Sequence, residues 1–443
     1  MMSAAVALIT ALLAWLAPAP KTDRLIRSFD LDRAGEAIVA IRAGCARCDW
    51  GETGREAAVL QLFVDGAYSQ HLALARGAAM AGYRVRLGTL PPGRHELRVE
   101  RDPGLSAAGA GAATIEVGPF ALIAEGSDDY TAQSMAPIVY ARPNTVGRFT
   151  DQPLFMWYEI EPTARGRQYR YSVIFSNEDG GTQTDRLMAT WGRTTDIEFV
   201  YGVEVDQAGA IVAEEFQGPG HEVPAFTGRH EGRHPLVWVS TDNNMVSESG
   251  PTRLRYAPEA IRFDLANAPR EAVMDANPWI YAIASAEMRR EGKIAADPPP
   301  GINQIADPRR FAFVEACGAI ANAELAISIG TVNSVRLQPD HVTWTRSDRG
   351  LPEYRISRDG CFTIATPLPA GTRASDIRAI RVDAFDRPAA KGGGPAAPGL
   401  VNLTRINKVF MLDEHDLPGP SVLHWEGSAP VPIGGAPFEV PVR

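Results

Sequence analysis

Alternating apolar and polar positions, broken at short intervals by Gly, Pro, Asn and Asp, run through most of the chain, and a period of two predicts strands. Val59-Leu60-Gln61-Leu62-Phe63-Val64 ends at the hairpin pair Asp65-Gly66, and Tyr83 to Leu87 precedes Pro91-Pro92-Gly93 and His95 to Val99. These runs predict a small sandwich over 24–118. A second strand-rich stretch, 119–268, carries Tyr169 to Phe175, Asp196 to Val205 and Leu236 to Thr241. The period then changes. Trp279, Ile280, Ile283, Ala284 and Met288 fall at helical spacing between Asn277-Pro278 and Gly292, predicting a short helix, and Pro298-Pro299-Pro300-Gly301 follows as a linker, the two filling 269–304. Strands resume over 305–443, with a Pro/Gly loop at Lys391 to Gly399. The expected fold class is therefore mainly all-β: three β-sandwich-like modules with a short helix between the second and third.

Composition narrows the setting. A chain of 443 residues, 45% hydrophobic, can bury about three cores. A net charge of −9 without a basic cluster argues against nucleic acid. The apolar run Ala4 to Ala17 is too short to span a bilayer and reads as a secretory signal over 1–20, so the expectation is a secreted or periplasmic protein that is not membrane-spanning after signal removal. Of the four cysteines, Cys317 and Cys361 both lie in strand-like segments of the third module and predict a disulfide in an oxidising compartment. Cys45-Ala46-Arg47-Cys48 follows a strand with no helix behind it, which reads as a loop disulfide or free thiols rather than a redox centre.

Candidate chemistry concentrates between Trp191 and Gly250. His230-Glu231-Gly232-Arg233-His234 spells H-E-x-x-H, which in zinc proteases needs a helix to bring both imidazoles to one face. Gly232 and Pro235, followed by the strand-like Leu236 to Ser240, predict extended backbone instead. Uninterrupted alternation from Asp196 places Ile197, Phe199, Tyr201, Val203 and Val205 on one face and Asp196, Glu198, Glu204 and Asp206 on the other. Adjacent carboxylates of this kind are either a solvated outer face or a hard-cation site. Asn177 to Gly181 reads as a turn with calcium-type oxygens. Trp157, Tyr158, Tyr169, Tyr171 and Trp191 read as core aromatics, with a sugar-stacking platform as the alternative.

Gly192-Arg193-Thr194-Thr195-Asp196-Ile197-Glu198, followed by an apolar strand, resembles the G-H-R-H-D-W-E heptapeptide of the necrosis-inducing family of secreted cytolysins. Met135 to Tyr140 and His234 to Val239 resemble stretches of the related Vps62-like proteins. The resemblance covers the middle region, about 119–268, and implies a β-sandwich whose acidic residues surround a divalent cation at a glycan-headgroup site. Carried over by position, the metal set is Asp185, Asp196 and Glu198; the alternatives are no metal, or a Ca, Mg or Mn site that His221 and Asp242, from the same stretch, would complete. Arg193 stands where the family has its first histidine. Arginine cannot ligate a metal and can neutralise the carboxylates directly. The expected ligand-binding residues are thus Asp196, Glu198, Arg193, His221 and Asp242. The function read from the sequence is an exported binding protein that recognises a polar extracellular or cell-surface ligand, a glycan or glycolipid headgroup, with or without help from a cation; a metal-dependent hydrolase and a structural cell-envelope protein are the alternatives.

Overall fold

A computed structural model describes residues 23–142, 152–178, 180–333, 338–388 and 398–442. The signal segment over 1–20 and most of the loop at Lys391 to Gly399 lie outside these residues. The first module contains β1 (Arg24–Leu31), β2 (Gly35–Cys45), β3 (Val59–Val64), β4 (Ala67–Ala73), β5 (Ala81–Leu90), β6 (Gly93–Asp102) and β7 (Ala113–Ala124). They form a four-stranded sheet ordered β1-β6-β3-β4 and a three-stranded sheet ordered β5-β2-β7. Val39, Ile41, Leu60, Leu62, Leu97 and Val99, the inward half of the alternation, close the core between the sheets. Its last strand runs on past 118 to Ala124.

The central module follows with α1 (Asp128–Ser134), β8 (Ile138–Tyr140), β9 (Pro153–Pro162), β10 (Gly166–Phe175), α2 (Thr184–Trp191), β11 (Asp196–Asp206), β12 (Ile211–Glu215), β13 (His230–Glu231), β14 (His234–Val239), β15 (Val246–Ser247), β16 (Arg255–Tyr256) and β17 (Ala260–Arg262). One sheet is ordered β12-β11-β10-β9-β17; β13, β14, β8, β16 and β15 make the facing one. Two pairings are parallel: Leu236 lies opposite Ile138 and Ala260 opposite Met156. The H-E-x-x-H segment is a hairpin, with Glu231 opposite His234 across a turn where Gly232 has φ +62. His230 reaches Glu214 at 2.7 Å, while His234 turns inward to Arg86 at 2.8 Å. The two imidazoles therefore serve different neighbours, as extended backbone requires.

The third module holds β18 (Phe311–Ala321), β19 (Ala323–Asn333), β20 (Gln338–Arg346), β21 (Gly360–Pro367), β22 (Ile377–Asp386), β23 (Leu400–Phe410), β24 (Trp425–Pro430) and β25 (Phe438–Pro441), in sheets β21-β18-β23-β24 and β20-β19-β22-β25. Cys317 and Cys361 lie directly opposite on β18 and β21 and form a disulfide, Cα to Cα 3.9 Å. Cys45 and Cys48 form the second, local disulfide. The fold is all-β with few helices, as the alternation predicts.

Helices hold the modules together. Before the third module come α3 (Ala272–Asp275) and α4 (Trp279–Arg290), and α4 is apolar around most of its circumference, the mark of a helix buried between layers. Ile283 enters the first module's core, while Ile280 joins Trp157 and Ile197 of the central module and Phe313 and Phe410 of the third in a shared apolar cluster. Trp50 Nε1 donates to Glu287 Oε2 at 2.9 Å from the loop after the Cys45–Cys48 bridge. Where the first module meets the central one, Arg86 is fully buried and donates to the carbonyls of Pro258 (3.0 Å), Ala136 (2.8 Å) and Pro137 (2.6 Å). Its charge faces Glu36 and the His234 ring, themselves 3.4 Å apart.

Candidate functional site

Strand β11 builds the site through an irregularity. Tyr201 lies opposite Tyr171 and Phe199 opposite Ser172, so Val200 is an extra residue, a β-bulge. A bulge reverses the alternation beyond it. Val200, Tyr201, Val203 and Val205 all enter the central core, Ile197 packs outward towards α4, and Glu204 pairs with the exposed Arg165. Asp196 and Glu198 consequently share the inner face with the core valines and not the outer face with Glu204 and Asp206, which corrects the uninterrupted period-two reading. Both are buried at the end of the sandwich.

Around this pair the fold gathers residues distant in sequence. Asn244, held at φ +54, donates its amide to Asp196 Oδ2 at 3.0 Å and to the Asn177 carbonyl at 3.0 Å. That second bond brings Glu178, also buried, beside the pair. Gln217 donates to Glu198 Oε2 and lies 3.4 Å from His221 Nδ1, and the His221 side is exposed to solvent. Arg193 donates to the Thr195 carbonyl and to Glu271 Oε1 at 3.1 Å, and its Nη1 stands 3.7 Å from Asp196 Oδ1. Arg193 therefore neutralises Glu271 at closer range than it does Asp196.

The electrostatics follow from this arithmetic of charge. Burial and repulsion by Asp196 push Glu198 up to about 8, against the attraction of Arg270 and Arg193. The same two causes raise Glu178 to about 7, and burial raises Asp196 despite Arg193 and the Asn244 bond. Near neutral pH Glu178 and Glu198, raised to about 7 and about 8, hold protons part of the time, so the cluster presents carboxylic acid donors beside carboxylate acceptors.

Asp185 is placed elsewhere. It sits in the first turn of α2, accepts from Gly301 N at 2.7 Å, and faces Arg349 of the third module at 3.8 Å. It shares no partner with Asp196 or Glu198 among the described residues. The reason is the helix, which turns residue 185 towards the third module. Asp242 forms an ion pair with Arg142, and its carbonyl accepts from Gly180 N at 3.2 Å, which sets it on the rim beside the Glu178 loop. Trp157, Tyr158, Tyr169 and Tyr171 are buried in the core and form no surface platform. Gln217 and Arg270 carry no signal in the sequence, whereas Glu178 lies in the turn at Asn177 to Gly181 and Asn244 in the run Asp242-Asn243-Asn244.

No family model matches the chain, and no curated protein matches it. Solved structures overlap parts of it. A structure described as NLPPya in complex with mannosamine is 12% identical, with a TM-score of 0.24, and covers 32% of this chain and 75% of its own. A family 35 carbohydrate binding module from an environmental isolate is 15% identical (TM-score 0.16; 23% of this chain, 70% of its own). The CBM35 from Cellvibrio japonicus Abf62 is 14% identical (TM-score 0.16; 23% of this chain, 73% of its own). Overlaps this partial leave the site to its own geometry.

Proposed function

We propose that the protein is an exported binding protein whose central module recognises a polar, hydroxyl-rich extracellular ligand, a glycan or glycolipid headgroup, at the mouth of the Glu178, Asp196 and Glu198 cluster. The observation that carries this reading is the buried carboxyl trio with too few cations, reached from solvent past Gln217 and His221. Three buried acids that repel one another are costly, and such groups concentrate at working sites. Sugar hydroxyls both donate and accept hydrogen bonds, which suits a cluster holding both protonated and ionised carboxyls. Two disulfides suit an oxidising compartment.

A second reading, in which Ca, Mg or Mn joins the cluster, is favoured by one atom. Asn244 Oδ1 is buried without a hydrogen-bond partner, and with Asp196, Glu198 and Glu178 it completes a hard-oxygen donor set. The fit is incomplete. Among the described residues no three His, Cys, Asp or Glu side chains converge on one point, so Glu178 or Glu198 has to change rotamer for a cation to bind.

Glycan-array screening followed by calorimetry tests the proposal. A retained glycan should bind saturably, and Glu198→Gln should weaken it roughly tenfold or more, the scale of one charge-assisted hydrogen bond. If no glycan is retained, or the variant binds as well as the native chain, this site is not the binding site. Repeating the titration with chelator, and then with added calcium, separates the two readings: indifference to both excludes the cation.

A further inference from the structure

A second cavity lies away from the acidic cluster and shares no residue with it. This cleft of about 490 Å³ opens between the first and central modules and beside the turn before α4. Its size is that of a small-molecule site, and domain boundaries are where such sites form. Leu72, Val85, Leu154, Ile261 and Phe263 line much of it, with Trp279 at one side and Phe155 edge-on to Phe263 at 6.1 Å between ring centres.

Its charges do not balance. Arg84 and Glu259 line the cleft but satisfy each other, Nη2 to Oε1 being 3.0 Å beside a closer Nε contact. His71 is neutral near pH 7, because burial holds it down to about 4, and its ring is engaged by Tyr68 and Gln61. Arg76 is the cation left over. Its guanidinium carbon lies 4.7 Å from the centre of the Trp279 ring and its Nη1 donates to the Gly82 carbonyl at 3.1 Å. It has no carboxylate partner among the described residues. A half-buried guanidinium stacked on an indole at the edge of an apolar cleft is a prepared seat for an anion.

We propose that this cleft binds a small amphipathic organic anion, a carboxylate carried on an aromatic or short acyl body, with the carboxylate on Arg76 and the body against Trp279, Phe155 and Phe263. Because the walls belong to two modules, the bound molecule also braces their junction. The proposal stands whether or not the acidic cluster binds a glycan.

The test uses the full chain with naphthoate and its uncharged counterpart naphthamide, followed by calorimetry. Naphthoate should bind saturably with one site per chain and about tenfold or more tighter than naphthamide, the difference expected of one charge-assisted pair. Arg76→Gln should bring naphthoate down to the level of naphthamide and leave naphthamide unchanged. Ala276, exposed at the mouth of the cleft, gives a second variant: Ala276→Phe should abolish binding of both probes while melting like the native protein. The proposal is overturned if naphthoate does not saturate, if both probes bind the native chain equally, or if Ala276→Phe leaves binding intact.

Discussion

Glu198 is the residue whose behaviour is easiest to isolate. Its folded value of about 8 stands above the ordinary glutamate value of 4.5, so between those limits the folded chain keeps a proton that the unfolded chain has lost. Stability should therefore fall as pH rises through that window. Glu198→Gln cannot ionise, so its melting temperature relative to the native chain should climb from pH 5 to pH 9, reaching on the order of 2 kcal/mol in stability. Parallel pH profiles of the two proteins would disprove the raised carboxyl. The pairing of Asp196 with Glu198 was legible in sequence because residues two apart in a strand share a face, whatever that face looks at. Glu178, Gln217 and Asn244 were not, since loops and not periodicity bring them in. Asp185 joined the set only through the family resemblance, and a position carried over along the chain says nothing about place once a helix intervenes.

At the scale of elements, one glycine couples the central and third modules. Gly192 ends α2 in the left-handed conformation at φ +62, and a Cβ there would meet Thr363 Cγ2 of β21 at 2.5 Å and Ile364 backbone at 3.1 Å. Gly192→Ala should cost about 1–3 kcal/mol through backbone strain and overpacking together, read as a lower denaturation midpoint; an unmoved midpoint would show that α2 and β21 part easily. The disulfides should differ in weight for a separate reason. The Cys317–Cys361 bridge spans a sequence separation of 44 and the Cys45–Cys48 bridge one of 3, so chain entropy favours the former. Replacing Cys317 and Cys361 by alanine should cost about 4 kcal/mol against roughly half that for Cys45 and Cys48, compared by chemical unfolding. Strand runs, the α4 helix and the Cys317–Cys361 pair were readable because each rests on a local pattern. The bulge at Val200 was not: one extra residue in an unbroken apolar run leaves no mark in composition, yet it decides which way the acids face.

Across the whole molecule, Arg86 is the fixing point between the first two modules. Arg86→Leu leaves three central-module carbonyls without their donor and Glu36 buried without its nearby cation, which should cost about 3–5 kcal/mol. Calorimetry should then resolve the first module's transition from that of the rest, whereas a single undivided transition would show that α4 alone holds the assembly. The three-module plan followed from breaks in the strand pattern, but the contacts joining the modules did not, because a lone buried arginine looks like any other arginine in sequence. The parallel pairings carry a different consequence. Leu236 lies beside Ile138 and Ala260 beside Met156, so each sheet of the central module is closed by strands from its two ends. A growing chain can pair all the strands of its first module once β7 has emerged, but those of the second have to wait for β17. Throughout that interval β9 has an open edge, since β11 covers the far side of β10 but only β17 covers that of β9, so the order of synthesis itself sets the period in which this protein is most exposed to aggregation and most dependent on chaperones.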